Sequence, residues 1–187
     1  DDFATRADAD LAATLRDALA GSLDAYAARK RREGKLDFLD LLLLARNLLR
    51  DHAGVRAGFQ RRFSHLFVDE MQDTDPLQAE VLLLLAADDP AESDWRRVRP
   101  RAGALFLVGD PKQSIYRFRR ADVVLYQEIC ERLAEHGVAR LELSTSFRAV
   151  RGIQRAVNAA FAPVMTIDPE SGQPAFIELG EHRADPD

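Results

Sequence analysis

Three short segments of the chain concentrate residues that can act on phosphate groups. The first, residues 66–75 (LFVDEMQDTD), runs from apolar residues directly into Asp69 and Glu70. Neighbouring carboxylates repel one another and are costly to bury, so a positive charge is expected beside them. Asp-Glu at the end of an apolar strand is one way to hold Mg²⁺ with the first carboxylate and polarise a water molecule with the second. The alternative is a solvated strand end in which an aspartate caps the next helix.

The second segment, residues 105–122 (LFLVGDPKQSIYRFRRAD), combines an amide with aromatic and basic side chains. Gln113 can both donate and accept hydrogen bonds, so it can sense a γ-phosphate or the water beside it. Tyr116 and Phe118 flank Arg117, a pattern that suits stacking on the bases of single-stranded nucleic acid. The alternative is that both aromatic rings belong to the core and that the arginines form a solvated face.

The third segment, residues 143–148 (LSTSFR), ends in Arg148 just past a predicted strand. An arginine at that place can reach a γ-phosphate and stabilise the charge that is transferred, which is worth about 10³–10⁵ in rate. The alternative is a surface arginine at the start of a helix.

The elements that must position these segments follow from the hydrophobic periodicity and the turn residues. Buried strands are predicted for the apolar runs at 65–70 and 104–110, and a third strand is predicted at 139–147. A surface loop with Trp95 as a packing anchor is predicted for 88–103, and a loop-like tail from residue 163 contains a short strand at 175–179. Helices are predicted for residues 3–32, 36–50, 54–62, 75–87, 121–137 and 150–161.

Three strands that alternate with helices predict an α/β fold, a parallel sheet with helical crossovers that is preceded by helices. Ligands of such sheets gather at the carboxyl ends of the strands. The three segments follow those ends, so we expect Asp69, Glu70, Gln113 and Arg148 to surround one concave site.

Composition limits the class of protein. The chain has 187 residues and a formal net charge of −5, so no overall positive field indicates a nucleic-acid partner, although a local cleft can still be basic. The single cysteine, Cys130, excludes an internal disulfide framework and is interpreted as a small buried hydrophobe. No apolar stretch is long enough to cross a membrane, and residues 1–10 lack the apolar region of a signal peptide, which favours a cytoplasmic protein.

The three segments together, in this order and with helices between them, resemble motifs II, III and IV of the superfamily 1A DNA helicases, the UvrD/Rep group. Residues 36–42 (LDFLDLL) resemble the DFxDLL segment before motif II, and the resemblance covers residues 36–161. The sequence DPKQSIYRFR is more similar to the RecB/AddA branch of helicase–nucleases than to UvrD, whose motif III usually reads QSIYxWRGA. The chain departs from the group at Met71 (usually Phe), Arg120 (often Gly) and Ser146 (often Asn).

The resemblance implies roles for residues around a nucleotide. Asp69 would be the magnesium carboxylate and Glu70 the general base. Gln72 and Gln113 would contact the nucleotide and couple its state to the DNA site. Arg148 would be an arginine finger.

The resemblance also implies a DNA surface. Tyr116 and Phe118 would form the base-stacking pair, with Arg117 beside them. Arg119 would link the DNA site to the ATP site.

The phosphate-binding loop of such enzymes, G-x-x-x-x-G-K-[S/T], does not occur in these residues, because Gly34-Lys35 is followed by Leu36. The resemblance therefore implies an internal part of a helicase with a partial RecA-like P-loop NTPase domain. Its expected parts are the helical end of a 1B-type insertion, the second half of the RecA-like 1A domain with motifs II, III and IV, and a tail toward the second RecA-like domain, at residues 1–34, 35–162 and 163–187.

The leading interpretation is a fragment of an ATP-dependent DNA helicase of DNA repair and recombination, with or without a nuclease in the intact protein. The intact protein would use ATP and Mg²⁺, whereas the fragment would be inactive and bind single-stranded DNA weakly. Its partners would be the remaining helicase domains or a partner subunit, and an exposed sheet edge favours self-association. The alternative is a non-catalytic DNA-binding or protein-interaction module that retains the helicase fold. A GxxGxGKT sequence upstream in the same reading frame would favour the first interpretation.

Overall fold

A computed structural model describes residues 2–168 and 173–183. The chain divides into two compact units, Asp1–Leu44 and Ala45–Asp187. The described residues form six helices: α1 (Asp2–Glu33), α2 (Phe38–Asp51), α3 (Ala53–Arg62), α4 (Pro76–Ala86), α5 (Val123–Glu135) and α6 (Arg151–Phe161). They also form four strands: β1 (Leu66–Val68), β2 (Leu105–Leu107), β3 (Thr145–Val150) and β4 (Gly180–Arg183).

The first unit is built on the turn between α1 and α2. The first helix, predicted to end at residue 32, ends at Glu33, and the next residue, Gly34, has a φ of +62°, which ends a helix at little steric cost. Lys30 Nζ lies 2.8 Å from Asp37 Oδ2 and 2.7 Å from both carboxylate oxygens of Asp40. The same two aspartates accept from each other's backbone N–H groups over 2.9 Å, so one ammonium group and two carboxylates fix the start of α2.

Capping residues set the ends of α4 and α5. Asp75 accepts from the backbone N–H of Gln78 over 2.9 Å, Gln78 accepts in return from Asp75 N, and Pro76 occupies the first turn. Asp122 caps the start of α5. Gly137, with a φ of +80°, follows the end of α5.

The β1–β2 sheet carries the first two segments and has one covered face. The strands are parallel, with Phe67 opposite Phe106 in the register. Val68, Leu105 and Leu107 pack against the core, whereas Phe67 and Phe106 are 77% and 56% exposed on the other face. The prediction of two buried strands is therefore wrong for this outer face, because no described element covers the two phenylalanines.

The core of the second unit lies under the covered face of this sheet. Helices α4 and α5 supply most of its fully buried side chains, including Leu84 and Ile129. Each such side chain contributes roughly 1.5–3 kcal/mol relative to an exposed one. Trp95, in a short 3₁₀ turn at Trp95–Arg97, packs against this core, which confirms its prediction as a packing anchor. None of the described helices has both the length and the apolarity required to cross a membrane.

The third predicted strand does not join the first two. Among the described residues, β3 pairs in parallel with β4 and forms a second two-stranded sheet. It begins at Thr145 and not at residue 139 as predicted, and Leu141 and Leu143 before it are 86% and 94% exposed. Their alternation with charged residues is typical of a strand, but no strand of the described residues pairs with this segment.

The short strand predicted at 175–179 lies instead at β4. Asn158 of α6 donates from Nδ2 to the carbonyl oxygen of Leu179 over 3.1 Å and accepts from the Leu179 N–H over 2.9 Å. This side chain occupies the backbone groups that Leu179 would need for strand pairing, and the regular pairing starts one residue later.

Candidate functional site

The carboxylates of the first segment follow β1 directly. Asp69 and Glu70 are both exposed, and Asp69 Oδ1 accepts from the backbone N–H of Glu70 over 2.9 Å. Glu70 has a left-handed backbone with φ +52° and ψ +43°, which costs a non-glycine residue roughly 1–2 kcal/mol. Such strain tends to persist at functional sites, where the surrounding structure enforces it. The backbone on the carboxyl side of Glu70 is held by two hydrogen bonds, from Asp73 N to Glu70 O and from Met71 N to Val108 O, each 2.9 Å long.

Gln72 joins the two strand ends from inside the protein. Its side chain is 1% exposed, and its Nε2 donates to Glu70 Oε2 over 2.7 Å. Its Oε1 accepts from the backbone N–H of Asp110, just after β2, over 2.9 Å. The Gln72 backbone carbonyl oxygen accepts from Ser114 Oγ over 3.2 Å. Both ends of the amide thus have partners within the protein, and the direct nucleotide contact that the resemblance implies stays a prediction.

Gly109 allows the two strand ends to approach so closely. A Cβ atom at this position would lie 2.9 Å from Gln72 Oε1, 3.3 Å from Gln72 N and 3.1 Å from a ring carbon of Tyr126. Tyr126 also donates from its hydroxyl to the Gly109 carbonyl oxygen over 3.4 Å, and burial raises the pKa of Tyr126 to about 12. A side chain at residue 109 would push the loop after β2 away from Gln72.

Asp110 organises the loop after β2. Its Oδ1 lies 2.8 Å from Lys112 Nζ, and its Oδ2 accepts from Gln113 Nε2 over 3.0 Å. Partial burial favours the protonated form, but the hydrogen bonds from Lys112 and Gln113 outweigh it and hold the pKa of Asp110 below its usual value. The Gln113 amide, predicted to sense a nucleotide, is therefore engaged with Asp110 in this structure, while the residue itself is exposed.

The aromatic and basic residues of the second segment lie on the surface. The Tyr116 and Phe118 rings are 5.9 Å apart and Phe118 is 81% exposed, so the alternative in which both rings belong to the core is wrong for Phe118. Arg119 Cζ lies 5.7 Å from the centre of the Tyr116 ring. Arg117 is exposed beside them, and Arg120 has a φ of +72°, the conformation that glycine, the usual residue of the group there, adopts most easily.

Arg148 is not brought to this site by the sheet that carries Asp69 and Gln113. It lies within β3, not after it, and β3 pairs with β4. The expectation that three strand ends of one sheet converge is therefore wrong, because in the described part of the chain β1 pairs with β2 and β3 pairs with β4. The network that the structure does form runs from Glu70 through Gln72 and Asp110 to Gln113.

The residues present fit a magnesium ion that is shared with phosphate groups. In the described part of the chain, no three His, Cys, Asp or Glu residues are grouped so that they would enclose a metal. Magnesium sites in nucleotide hydrolases differ from such cages, because one or two carboxylates hold the ion together with substrate phosphates and water. Asp69 supplies an exposed carboxylate of that kind at the end of β1.

Two features of this site escaped the sequence analysis. One is the burial of Gln72. The other is the role of Asp110, whose carboxylate accepts a hydrogen bond from Gln113 and so positions it. The sequence does hold a signal for the first, since Gly109 follows the apolar run of the second predicted strand. Glycine in such a place often marks a close approach of another group.

Comparison with known proteins identifies the family. The model of the UvrD/REP helicase N-terminal domain matches residues 4–134. This chain belongs to the UvrD/REP helicase family. The matched range includes the first two segments, residues 66–75 and 105–122. It ends before β3, so Arg148 lies outside it.

Several curated proteins are similar to this helicase-family chain. One, from Latilactobacillus sakei subsp. sakei (strain 23K), is named as a subunit of an ATP-dependent helicase/nuclease and is 37% identical over 147 residues, 76% of this chain and 15% of that protein. The protein of the same name from Lactiplantibacillus plantarum is 36% identical over 168 residues, 83% of this chain and 12% of that protein. The "Exonuclease/helicase subunit RexA" of Streptococcus pneumoniae serotype 4 is 33% identical over 165 residues, 87% of this chain and 12% of that protein. The chain thus matches only 12–15% of the length of these relatives.

Proposed function

We propose that this chain contributes part of a RecA-like nucleotide-binding domain to an ATP-dependent DNA helicase of the helicase–nuclease type. ATP hydrolysis there drives translocation along single-stranded DNA during repair and recombination. Membership of the UvrD/REP family and the names of the similar proteins support this proposal. The observation that carries it is the buried bridge of Gln72, which joins the Glu70 carboxylate to the loop of Gln113.

The same proposal assigns the parts of the chain. Residues 1–34 form the helical end of a 1B-type insertion, and residues from 35 onward form the second half of the 1A domain. Because β3 and β4 form a separate sheet, we place the start of the second RecA-like domain near β3. This boundary is earlier in the chain than residue 163, the boundary expected from the sequence.

Glu70 acts as the general base in this proposal. Its Oε2 accepts from Gln72, which leaves Oε1 to accept the proton of a water molecule that attacks the γ-phosphorus. The bond between that phosphorus and the β–γ bridging oxygen breaks, and ADP and inorganic phosphate leave. Asp69 would hold Mg²⁺, which supplies compensation for the phosphate charge.

Gln113 reports the state of the nucleotide. In this structure its amide donates to Asp110 Oδ2, and a γ-phosphate competes for the same donor. Ser114, the next residue, is tied to the Gln72 backbone, and the aromatic surface of Tyr116 and Phe118 begins two residues later. A displacement of the Gln113 side chain is therefore transmitted over a few residues to the DNA surface formed by Tyr116 and Phe118. Arg119, which lies over the Tyr116 ring, links that surface to the nucleotide site.

Arg148 completes the site by domain closure. Because β3 belongs to a separate sheet, its arginine reaches the γ-phosphate only when the second domain closes on the nucleotide. Closure of this kind commonly assembles a catalytic site and excludes water from it.

The test uses the complete product of the gene that encodes this chain, with ATP, Mg²⁺ and single-stranded DNA. Glu70→Gln should lower phosphate release at least about 10²-fold, the usual contribution of a general base. Glu135→Gln, on the exposed end of α5, is the matched control and should retain wild-type turnover. Residues 1–187 alone should release phosphate at the background rate, because they lack the phosphate-binding loop.

Two outcomes would contradict this proposal. Turnover of Glu70→Gln at the wild-type rate would remove Glu70 from the reaction. DNA binding by the complete product without any ATP hydrolysis would favour the alternative, a non-catalytic DNA-binding module.

A further inference from the structure

We propose that Gln72 is a positioning residue that fixes the Glu70 carboxylate against the loop after β2, and that it does not bind the nucleotide itself. The inference rests on the proposed role of Glu70. Three contacts define it: Nε2 to Glu70 Oε2 at 2.7 Å, Asp110 N to Oε1 at 2.9 Å, and Ser114 Oγ to the backbone oxygen at 3.2 Å.

The chemistry of the amide explains why a glutamine stands here. The side chain must donate to a carboxylate at one end and accept from a backbone N–H at the other. An ionised glutamate accepts only, a methionine of similar size offers neither group in useful strength, and an asparagine is one methylene shorter. Because Gln72 is 1% exposed, water has little access to replace a missing partner.

Glu70 needs a partner of this kind because its side chain is otherwise exposed. The turn fixes its backbone through the Asp73 N–H, and the left-handed φ of +52° sets the direction in which the side chain leaves the chain. The remaining side-chain torsions are free unless something holds the carboxylate. A general base that samples several rotamers loses the benefit of a fixed geometry, and small displacements of reacting groups are costly in rate.

Gly109 gives a second, independent way to disturb the same contact. A methyl group added there would lie 2.9 Å from Gln72 Oε1 while every functional group of the bridge is retained. Gly109→Ala should therefore displace the Gln72 amide without deleting it.

The experiment measures steady-state ATP hydrolysis by the complete gene product with single-stranded DNA. Gln72→Met and Gly109→Ala should lower kcat by about 10- to 100-fold, the usual effect of removing a partner that orients a catalytic group. The KM for ATP should stay within about twofold, because orientation and not binding is lost. Gln78→Met is the matched control: it removes a glutamine contact from the capping box of α4 and should leave kcat unchanged.

A double variant separates a positioning role from a structural one. If Gln72 acts through Glu70, Gln72→Met should add no further loss to the residual turnover of Glu70→Gln. Circular dichroism and thermal unfolding report whether each variant folds. If Gln72→Met does not fold, Gly109→Ala and Gln72→Asn carry the same comparison.

The results that would overturn the inference differ from those that would overturn the proposed function. A wild-type kcat in Gln72→Met and Gly109→Ala, a rise in KM at unchanged kcat, or an equal further loss in the Glu70→Gln background would each exclude the positioning role. If Glu70→Gln itself retains wild-type turnover, the proposed function fails. An inactive Glu70→Gln beside a fully active Gln72→Met refutes only the inference about Gln72.

Discussion

The rings of Tyr116 and Phe118 lie 5.9 Å apart and are tilted by 54°, with Phe118 open to solvent. Phe67 and Phe106 on the outer face of the first sheet form a pair with nearly the same geometry, 5.9 Å and 52°. The two pairs differ in their surroundings, since Arg117 separates the first pair in the sequence and Arg119, which follows it, lies over the Tyr116 ring. The second pair thus provides an internal control for the first.

We predict weak, salt-sensitive binding of single-stranded DNA by this chain through Tyr116 and Phe118. The double change Tyr116→Ala, Phe118→Ala should weaken binding by about 1–3 kcal/mol for each base that stacks. Fluorescence anisotropy with a labelled oligothymidine at several salt concentrations measures the effect. The double change Phe67→Ala, Phe106→Ala should leave the affinity unchanged. Equal losses in both double variants, or no loss in the first, would mean that the DNA surface lies elsewhere.

We predict that the chain self-associates through the exposed outer face of the β1–β2 sheet. Phe67 and Phe106 are exposed side by side, and only two strands form this sheet in the described residues. The double change Phe67→Thr, Phe106→Thr keeps residues that favour strands and should shift the chain toward the monomer. Sedimentation velocity over a concentration series gives the readout, with Leu143→Thr, a 94% exposed leucine outside the sheets, as the control. A wild-type monomer at all concentrations contradicts the prediction.

We predict that the substitution Arg120→Gly increases the stability of the fold. Its φ of +72° strains an L-residue, whereas glycine adopts this conformation freely. Arg120→Gly should raise the free energy of unfolding by about 1 kcal/mol, which shifts Tm by about 2–4 °C in a chain of this size. Arg120→Ala removes the same side chain but keeps the Cβ atom, so it should show no gain. Equal stability of the two variants would show that the backbone strain is not the cause.

The sequence predicts the helices of this chain well because their signals are local. Asp75 and Pro76 mark the start of α4, and Gly137 follows the end of α5, through contacts within a few residues. Whether a sheet face is covered depends on residues far away in the sequence. The apolar run around Phe67 is compatible both with a strand covered on two faces and with one covered on a single face.

The candidate site shows the same limit. The places of Asp69, Glu70 and Gln113 after predicted strands identify them in the sequence, and the structure does bring the ends of β1 and β2 together. The burial of Gln72 depends on how closely the loop at Gly109 approaches, which is a tertiary property. Alternation at residues 139–143 indicates a strand but does not say which sheet the strand joins. The expectation that the strand of Arg148 belongs to the sheet of Asp69 is therefore wrong, whereas the role of Arg148 itself stays a prediction.

The pKa of Asp37 provides a test of the turn between α1 and α2. Hydrogen bonding to Lys30 lowers this pKa from 3.8 to about 2, so the aspartate stabilises the fold above its unfolded-state pKa. That contribution is lost as the pH falls from about 4 toward 2. In Lys30→Met the pKa should return toward 3.8, as measured by carboxyl-carbon NMR during a pH titration. Lys35→Met, whose ammonium pairs with Glu33, should leave the low value in place, and a low value that persists in Lys30→Met would contradict this account.

The central claim, that Glu70 activates water for the hydrolysis of ATP, is tested most directly by a structure with the substrate in place. The measurement is a crystal structure of the complete gene product with a non-hydrolysable ATP analogue, Mg²⁺ and single-stranded DNA. We predict a water molecule about 3 Å from a Glu70 carboxylate oxygen and in line with the γ-phosphate, with Gln72 still donating to the other oxygen. A nucleotide bound away from the end of β1, with Glu70 facing solvent, would contradict the claim.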